Sequence, residues 1–167
     1  EENVKFKGWK QAETEHFRFI YEDASKEAAV EFAKIADDAW NKVAKIYGCP
    51  PDRLDVSVTA RTNTINALTM YSPVSMGMYN TPFCDATFTF REDWKKIVFT
   101  HELIHAANIA FEDKETLKTL KLIFGELLTS LNKAEKGWAL EGLTTVLETE
   151  LTDGGRGRSP YYELNYK

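Results

Sequence analysis

The chain has 167 residues and a mass of 19.1 kDa, the size of a single domain spanning residues 1–167. With 43% hydrophobic and 28% charged residues it has the balance of a globular chain, which sets aside the disordered and fibrous classes. Lys and Arg total 21 against 26 Asp and Glu, a net charge of −5 at pH 7, which excludes the dense basic face of a general nucleic-acid binder, and no apolar run approaches the ~18 residues of a membrane span.

The first predicted element is His16–Tyr21, which alternates bulky and polar residues like a half-buried strand. Asp23 or Ser25 then caps a long helix whose apolar positions Phe32, Ile35, Ala36, Ala39, Trp40, Val43 and Ile46 recur at helical spacing. Gly48 followed by Pro50-Pro51 ends it, because glycine permits a left-handed cap and proline cannot continue the ladder. Leu54, Val56 and Val58 alternate with Asp55, Ser57 and Thr59 as a second strand.

Residues 61–85 read as an irregular stretch with a short strand near Met76–Tyr79, followed by another strand at Ala86–Phe90. Asp93 caps the next helix, on which Trp94, Ile97, Val98, His101 and His105 follow at helical spacing. Further helices are predicted from Glu115 to about Phe124 and from about Trp138 to Leu151, before a glycine-rich loop at Gly154–Arg158. Strands first and helices afterwards predict an α+β fold with one small sheet. Cys49 and Cys84 allow one disulfide or two free thiols and lack the spacing of a metal site. The start at Glu1 without a methionine reads as either a processed product or a trimmed chain, and the abrupt end at Tyr161–Lys167 carries the expectation that the natural protein continues.

The segment with chemistry in it is His101-Glu102-Leu103-Ile104-His105. Residues four apart on a helix differ by about 40° in azimuth, so both imidazoles project from one face about one turn apart. That spacing suits two nitrogens on one zinc ion at about 2.0–2.1 Å. Glu102, turned about 100° away, reaches beside the metal, where a carboxylate can take a proton from zinc-bound water.

A catalytic zinc site uses three protein ligands. The remaining histidine, His16, lies on the first strand, and the better third candidate is Glu141, a carboxylate in an apolar helical stretch where burial without a cation is costly. Glu148, two turns further on the same face, is expected either to accept a hydrogen bond from a ligand histidine or to pair with Arg156 or Arg158. Thr145, one turn after Glu141, is a weaker candidate for the same supporting shell.

These residues resemble the gluzincins, metallopeptidases with thermolysin-like catalytic folds, and in particular the bacterial peptidase MA-like domains. Their pattern is a His-Glu-x-x-His helix followed some tens of residues later by Trp-x-x-Glu-Gly. Here His101, Glu102, His105 and Trp138-Ala139-Leu140-Glu141-Gly142 stand in those places. Ile123-Phe124-Gly125 and the Gly-Arg-Gly-Arg loop look like a subgroup in which the domain precedes propeller-type repeats in a longer exported protein. The resemblance implies one Zn2+ per chain and a small mixed sheet packed on the zinc helix. It also implies an extracytoplasmic setting and an extended peptide or protein substrate laid on an edge strand, at Met76–Tyr79 or Ala86–Phe90.

In such enzymes zinc polarises the scissile carbonyl and Glu102 shuttles the proton to the leaving amine. A later Tyr or His stabilises the oxyanion, and the candidates for that task here are Tyr161, Tyr162, Arg156 and Arg158. The competing reading is a zinc-stabilised module that binds extended peptides without cutting them. In either case the chain is expected to be a monomer or part of a larger chain.

Overall fold

The computed structural model describes residues 8–48, 53–61, 67–71, 73–80, 93–112 and 137–160. They form an α+β arrangement of five strands: β1 (Trp9–Glu13), β2 (Phe17–Glu22), β3 (Leu54–Thr59), β4 (Ala67–Tyr71) and β5 (Val74–Tyr79). The sheet order is β1-β2-β3-β5-β4. β2, β3 and β5 run parallel, and β1 and β4 are antiparallel to their neighbours. Among the described residues three α-helices accompany the sheet: α1 (Lys26–Tyr47), α2 (Trp94–Glu112) and α3 (Gly137–Leu151).

The alternation in β2 and β3 does what period-2 patterning dictates. Phe17, Phe19 and Tyr21 face the same way as Leu54, Val56 and Val58, and all six are buried. The register sets Phe19 beside Val56 and Val56 beside Met76, so one continuous apolar face crosses the middle of the sheet. Parallel strands need a crossover, and α1 supplies it between β2 and β3. Its buried positions are mostly alanines, with Phe32 and Val43 as the larger groups, which lets it lie close to its neighbours. Gly48 ends it at φ 77°, its N–H donating to Ala44 at 2.8 Å.

α2 is the central helix. It begins at Asp93, whose carboxylate accepts from the Lys95 N–H at 3.1 Å. It packs on α1, the β4–β5 side of the sheet and α3. Every residue from Ile97 to Ile104 is buried. Phe99 anchors it, with ring centroids 5.3 Å from Phe17 and 6.0 Å from Phe32; a side chain of this size adds about 1.5–3 kcal/mol on burial. A helix covered on all sides carries His101 and Glu102 into the interior with it.

α3 is patterned in reverse. Thr144 and Glu148 are fully buried, whereas Trp138 is 84% exposed and Val146 59%. Burying a carboxylate in preference to these apolar groups is unfavourable unless it is paired, which marks the α2–α3 seam as a polar site.

Two expectations about the sheet are corrected. β1 and β4 are strands where none was expected. The Met76–Tyr79 strand, which is β5, is not an edge, being hydrogen-bonded to β3 on one side and β4 on the other. Among the described residues the outermost strand on that side is β4. The expected Ala86–Phe90 strand, the Glu115–Phe124 helix, Cys49, Cys84, Tyr161 and Tyr162 lie outside the described residues.

Candidate metal centre

His101 and His105 project from one face of α2 with their Nε2 atoms 3.1 Å apart and their rings nearly perpendicular, at 80°. α3 brings Glu141 against both. Its Oε2 is 3.4 Å from His101 Nε2, and its Oε1 is 3.3 Å from His105 Nε2. One donor atom from each of the three residues lies within 4.8 Å of the others. Four ligands about 2.0–2.1 Å from a tetrahedral zinc stand about 3.3–3.4 Å from one another. The two imidazole nitrogens stand close to that edge length from one another, and each stands close to it from the Glu141 oxygen that faces it, so the donor set suits a zinc ion in kind, with one atom from each residue within 4.8 Å of the others.

The opposite ring nitrogens face supporting groups. His101 Nδ1 is 2.8 Å from Glu148 Oε2, and His105 Nδ1 is 3.4 Å from Thr144 Oγ1. A carboxylate only accepts, so we assign the proton of His101 to Nδ1, which leaves the Nε2 lone pair for a metal. Glu148 is shared. Arg156 donates to it from its backbone N–H at 2.8 Å, from Nε at 3.1 Å and from Nη2 at 2.8 Å. Nη2 also stands against both ring nitrogens of His101, closer to Nδ1 than to Nε2, so the guanidinium lies against the ring. Burial pushes the Glu148 carboxyl up, but the bonds from His101 and Arg156 outweigh it and hold the group below its ordinary value.

The glycine-rich loop makes this contact. A Cβ on Gly155 would lie 2.4 Å from Thr149 Cα, closer than side-chain carbons come to backbone. Only glycine lets the chain turn back onto α3 tightly enough to set the Arg156 N–H on Glu148.

Glu102 is 7% exposed and lines the same cleft of about 380 Å³ as Thr69, Tyr71, His101, His105 and Glu141. Burial pushes its carboxyl up, opposed by the nearby His101 and by the Thr69 hydroxyl, which stands 2.8 Å from Oε2.

Burial, reinforced by His101, lowers the His105 pKa to about 4, so the imidazole is neutral at pH 7 and suited to bind a cation. In the unfolded chain the same imidazole has its ordinary pKa, near 6.5. Over the interval between, the unfolded chain binds more protons, so His105 costs the metal-free fold stability as pH falls. Glu102, raised, acts in the opposite sense. With Glu102→Gln removing that contribution, urea unfolding of the metal-free chain should show a loss of about 1–2 kcal/mol between about pH 7 and pH 5. An unchanged midpoint would mean that His105 is not held neutral by its site.

Several expected site residues sit differently from the sequence reading. Glu141 is at the expected place, but not for the expected reason: its side chain is 62% exposed, and the buried carboxylate of α3 is Glu148. Thr145 has no described contact with His101, His105 or Glu141; its carbonyl accepts from Thr149 Oγ1 at 2.7 Å. The threonine beside His105 is Thr144, three residues after Glu141 and four before Glu148, on the side of α3 turned to α2. Arg158 donates to the Thr149 carbonyl at 2.8 Å, away from the donor cluster. His16 stacks on Trp40 at 3.6 Å and has no part in the cluster.

Thr69 and Thr144 were missed. For Thr144, helical position relative to both glutamates was a usable signal. For Thr69 the only signal was the β-favouring run Ala67–Tyr71. Compared with protein-family models, curated proteins and solved structures, the chain matches none. Among the described residues no helix is long and apolar enough to cross a membrane.

Proposed function

We propose that the chain is a gluzincin-like, zinc-dependent peptidase in which His101, His105 and Glu141 hold one metal ion and Glu102 is the general base. One observation carries this reading. Two imidazole nitrogens on one helix stand 3.1 Å apart and each faces an oxygen of Glu141 on another at 3.3–3.4 Å, with a buried carboxylate one residue from the first of them. When bound, zinc would supply Lewis acidity, polarising a carbonyl and making water acidic enough to give up a proton to a nearby carboxylate.

The protein's own groups do the rest. Glu102 accepts a proton from the attacking water and returns it to the nitrogen of the leaving amine. Burial favours its protonated form and so eases acceptance of that proton. Glu148 fixes the ring of His101, and Thr144 faces that of His105. Arg156, on the wall of the cleft, adds positive potential where the carbonyl oxygen gathers charge. A peptide in extended form lies along the cleft between β4 and α3.

The test is hydrolysis of a quenched fluorescent peptide library by the purified chain at neutral pH. Cleavage should be lost with 1,10-phenanthroline and restored by about one equivalent of zinc. Zinc held at that ratio without cleavage would instead favour the module that binds peptides and does not cut them.

A further inference from the structure

We infer that Thr69, on β4, is the positioning residue of the general base: its hydroxyl holds the Glu102 carboxylate in one orientation beside the metal donors. The inference rests on the peptidase reading above. Thr69 Oγ1 is 2.8 Å from Glu102 Oε2 and 2.9 Å from the backbone oxygen of the same residue. A hydroxyl has one proton to give, and a charged acceptor takes it in preference, so the proton goes to the carboxylate while Glu102 is ionised.

The backbone oxygen is a second acceptor for the same hydroxyl. Thr69 therefore keeps a partner on residue 102 whether the carboxyl carries its transferred proton or not. No other hydrogen bond holds the Glu102 carboxyl among those described, so without Thr69 the side chain is free to rotate about its terminal torsion.

The contact also joins two parts of the site. β4 borders the cleft and α2 carries the base, so the bond sets the distance between a peptide lying along β4 and the carboxylate that must reach its attacking water. Threonine suits both demands, being β-branched for the strand and a donor for the base. Valine has the same shape without the donor, and serine keeps the donor with less bulk.

The experiment compares Thr69→Val and Thr69→Ser with the wild-type chain, all zinc-loaded, on the fluorescent peptide that the wild type cleaves best. Thr69→Val should lower kcat by roughly ten- to a hundredfold, with KM within about twofold and zinc content unchanged. Thr69→Ser should recover most of that loss. Crystal structures of the metal-free variants supply a second readout independent of activity. The Glu102 carboxylate should leave its place in Thr69→Val and keep it in Thr69→Ser.

An active wild type with Thr69→Val indistinguishable from it, or with serine no better than valine, would overturn the role of Thr69 and leave the peptidase reading intact. A wild type with no activity would overturn the peptidase reading and the catalytic role with it. The carboxylate positions would still show whether the hydroxyl holds the side chain.

Discussion

Glu148→Ala should destabilise the metal-free fold by about 3 kcal/mol and weaken zinc binding by about 10- to 100-fold. Glu148 is fully buried and bonds to His101 and Arg156 at once. Breaking a buried pair costs about 3–5 kcal/mol, because the partner charge is left without compensation. Arg156, 23% exposed, recovers part of its hydration, which places the expected cost at the lower end of that range.

The metal effect has a separate cause. Without an acceptor at Nδ1, the His101 imidazole can turn and take the other tautomer, which puts its proton on the nitrogen meant for zinc. Glu148→Gln separates the two: an amide oxygen still accepts from Nδ1–H, so zinc affinity should fall less than stability does. Urea unfolding and competitive zinc titration measure the pair. A stability loss under about 1 kcal/mol for the alanine variant would show that the carboxylate does not carry the seam between α2 and α3.

Glu102→Gln should lower peptide hydrolysis by about 10²–10⁴-fold while zinc content stays that of the wild type. The amide keeps the shape of the carboxyl, and its oxygen can still accept from Thr69, but it cannot take a proton from water. The same substitution should leave stability unchanged or raise it. Burial disfavours the Glu102 charge, and a neutral side chain removes that cost. Loss of activity without loss of stability is the pattern of a group retained for chemistry and not for folding. Hydrolysis within about tenfold of wild type would assign the base elsewhere.

What could be read from the sequence follows the physical range of each signal. The strands at Phe17–Glu22 and Leu54–Thr59 and the helix at Lys26–Tyr47 carry strong periodicity over many residues, and they stand where expected. β1 has all five residues exposed and is patterned by nothing but its pairing with β2. β4 is short, with its last two residues exposed. Strands on the margin of a sheet bury too little to mark the sequence, which is why the sequence points to Met76–Tyr79 or Ala86–Phe90 for the edge and not to β4.

The site divides in the same way. His101 and His105 were legible because both imidazoles sit on one helix, where spacing fixes direction. Glu141 and Glu148 stand on α3 as expected, but Glu141, expected to be buried, is the exposed one of the two. An apolar stretch suggests a buried helix face, whereas here Trp138, Leu143 and Val146 turn outward and the polar groups turn towards α2. Arg156 depends on a loop that glycine allows to fold back onto α3, and Thr69 on the docking of a strand against α2. Both are contacts between elements, which no local pattern encodes.

The most direct test of the account is the zinc content of the purified chain by elemental mass spectrometry, after dialysis against metal-free buffer and one addition of zinc, beside His105→Ala and Glu141→Ala. About one zinc per wild-type chain is expected, with little retained by either variant. A wild-type chain that takes up none would contradict the metal centre, and one that binds zinc equally well without Glu141 would contradict its ligand set.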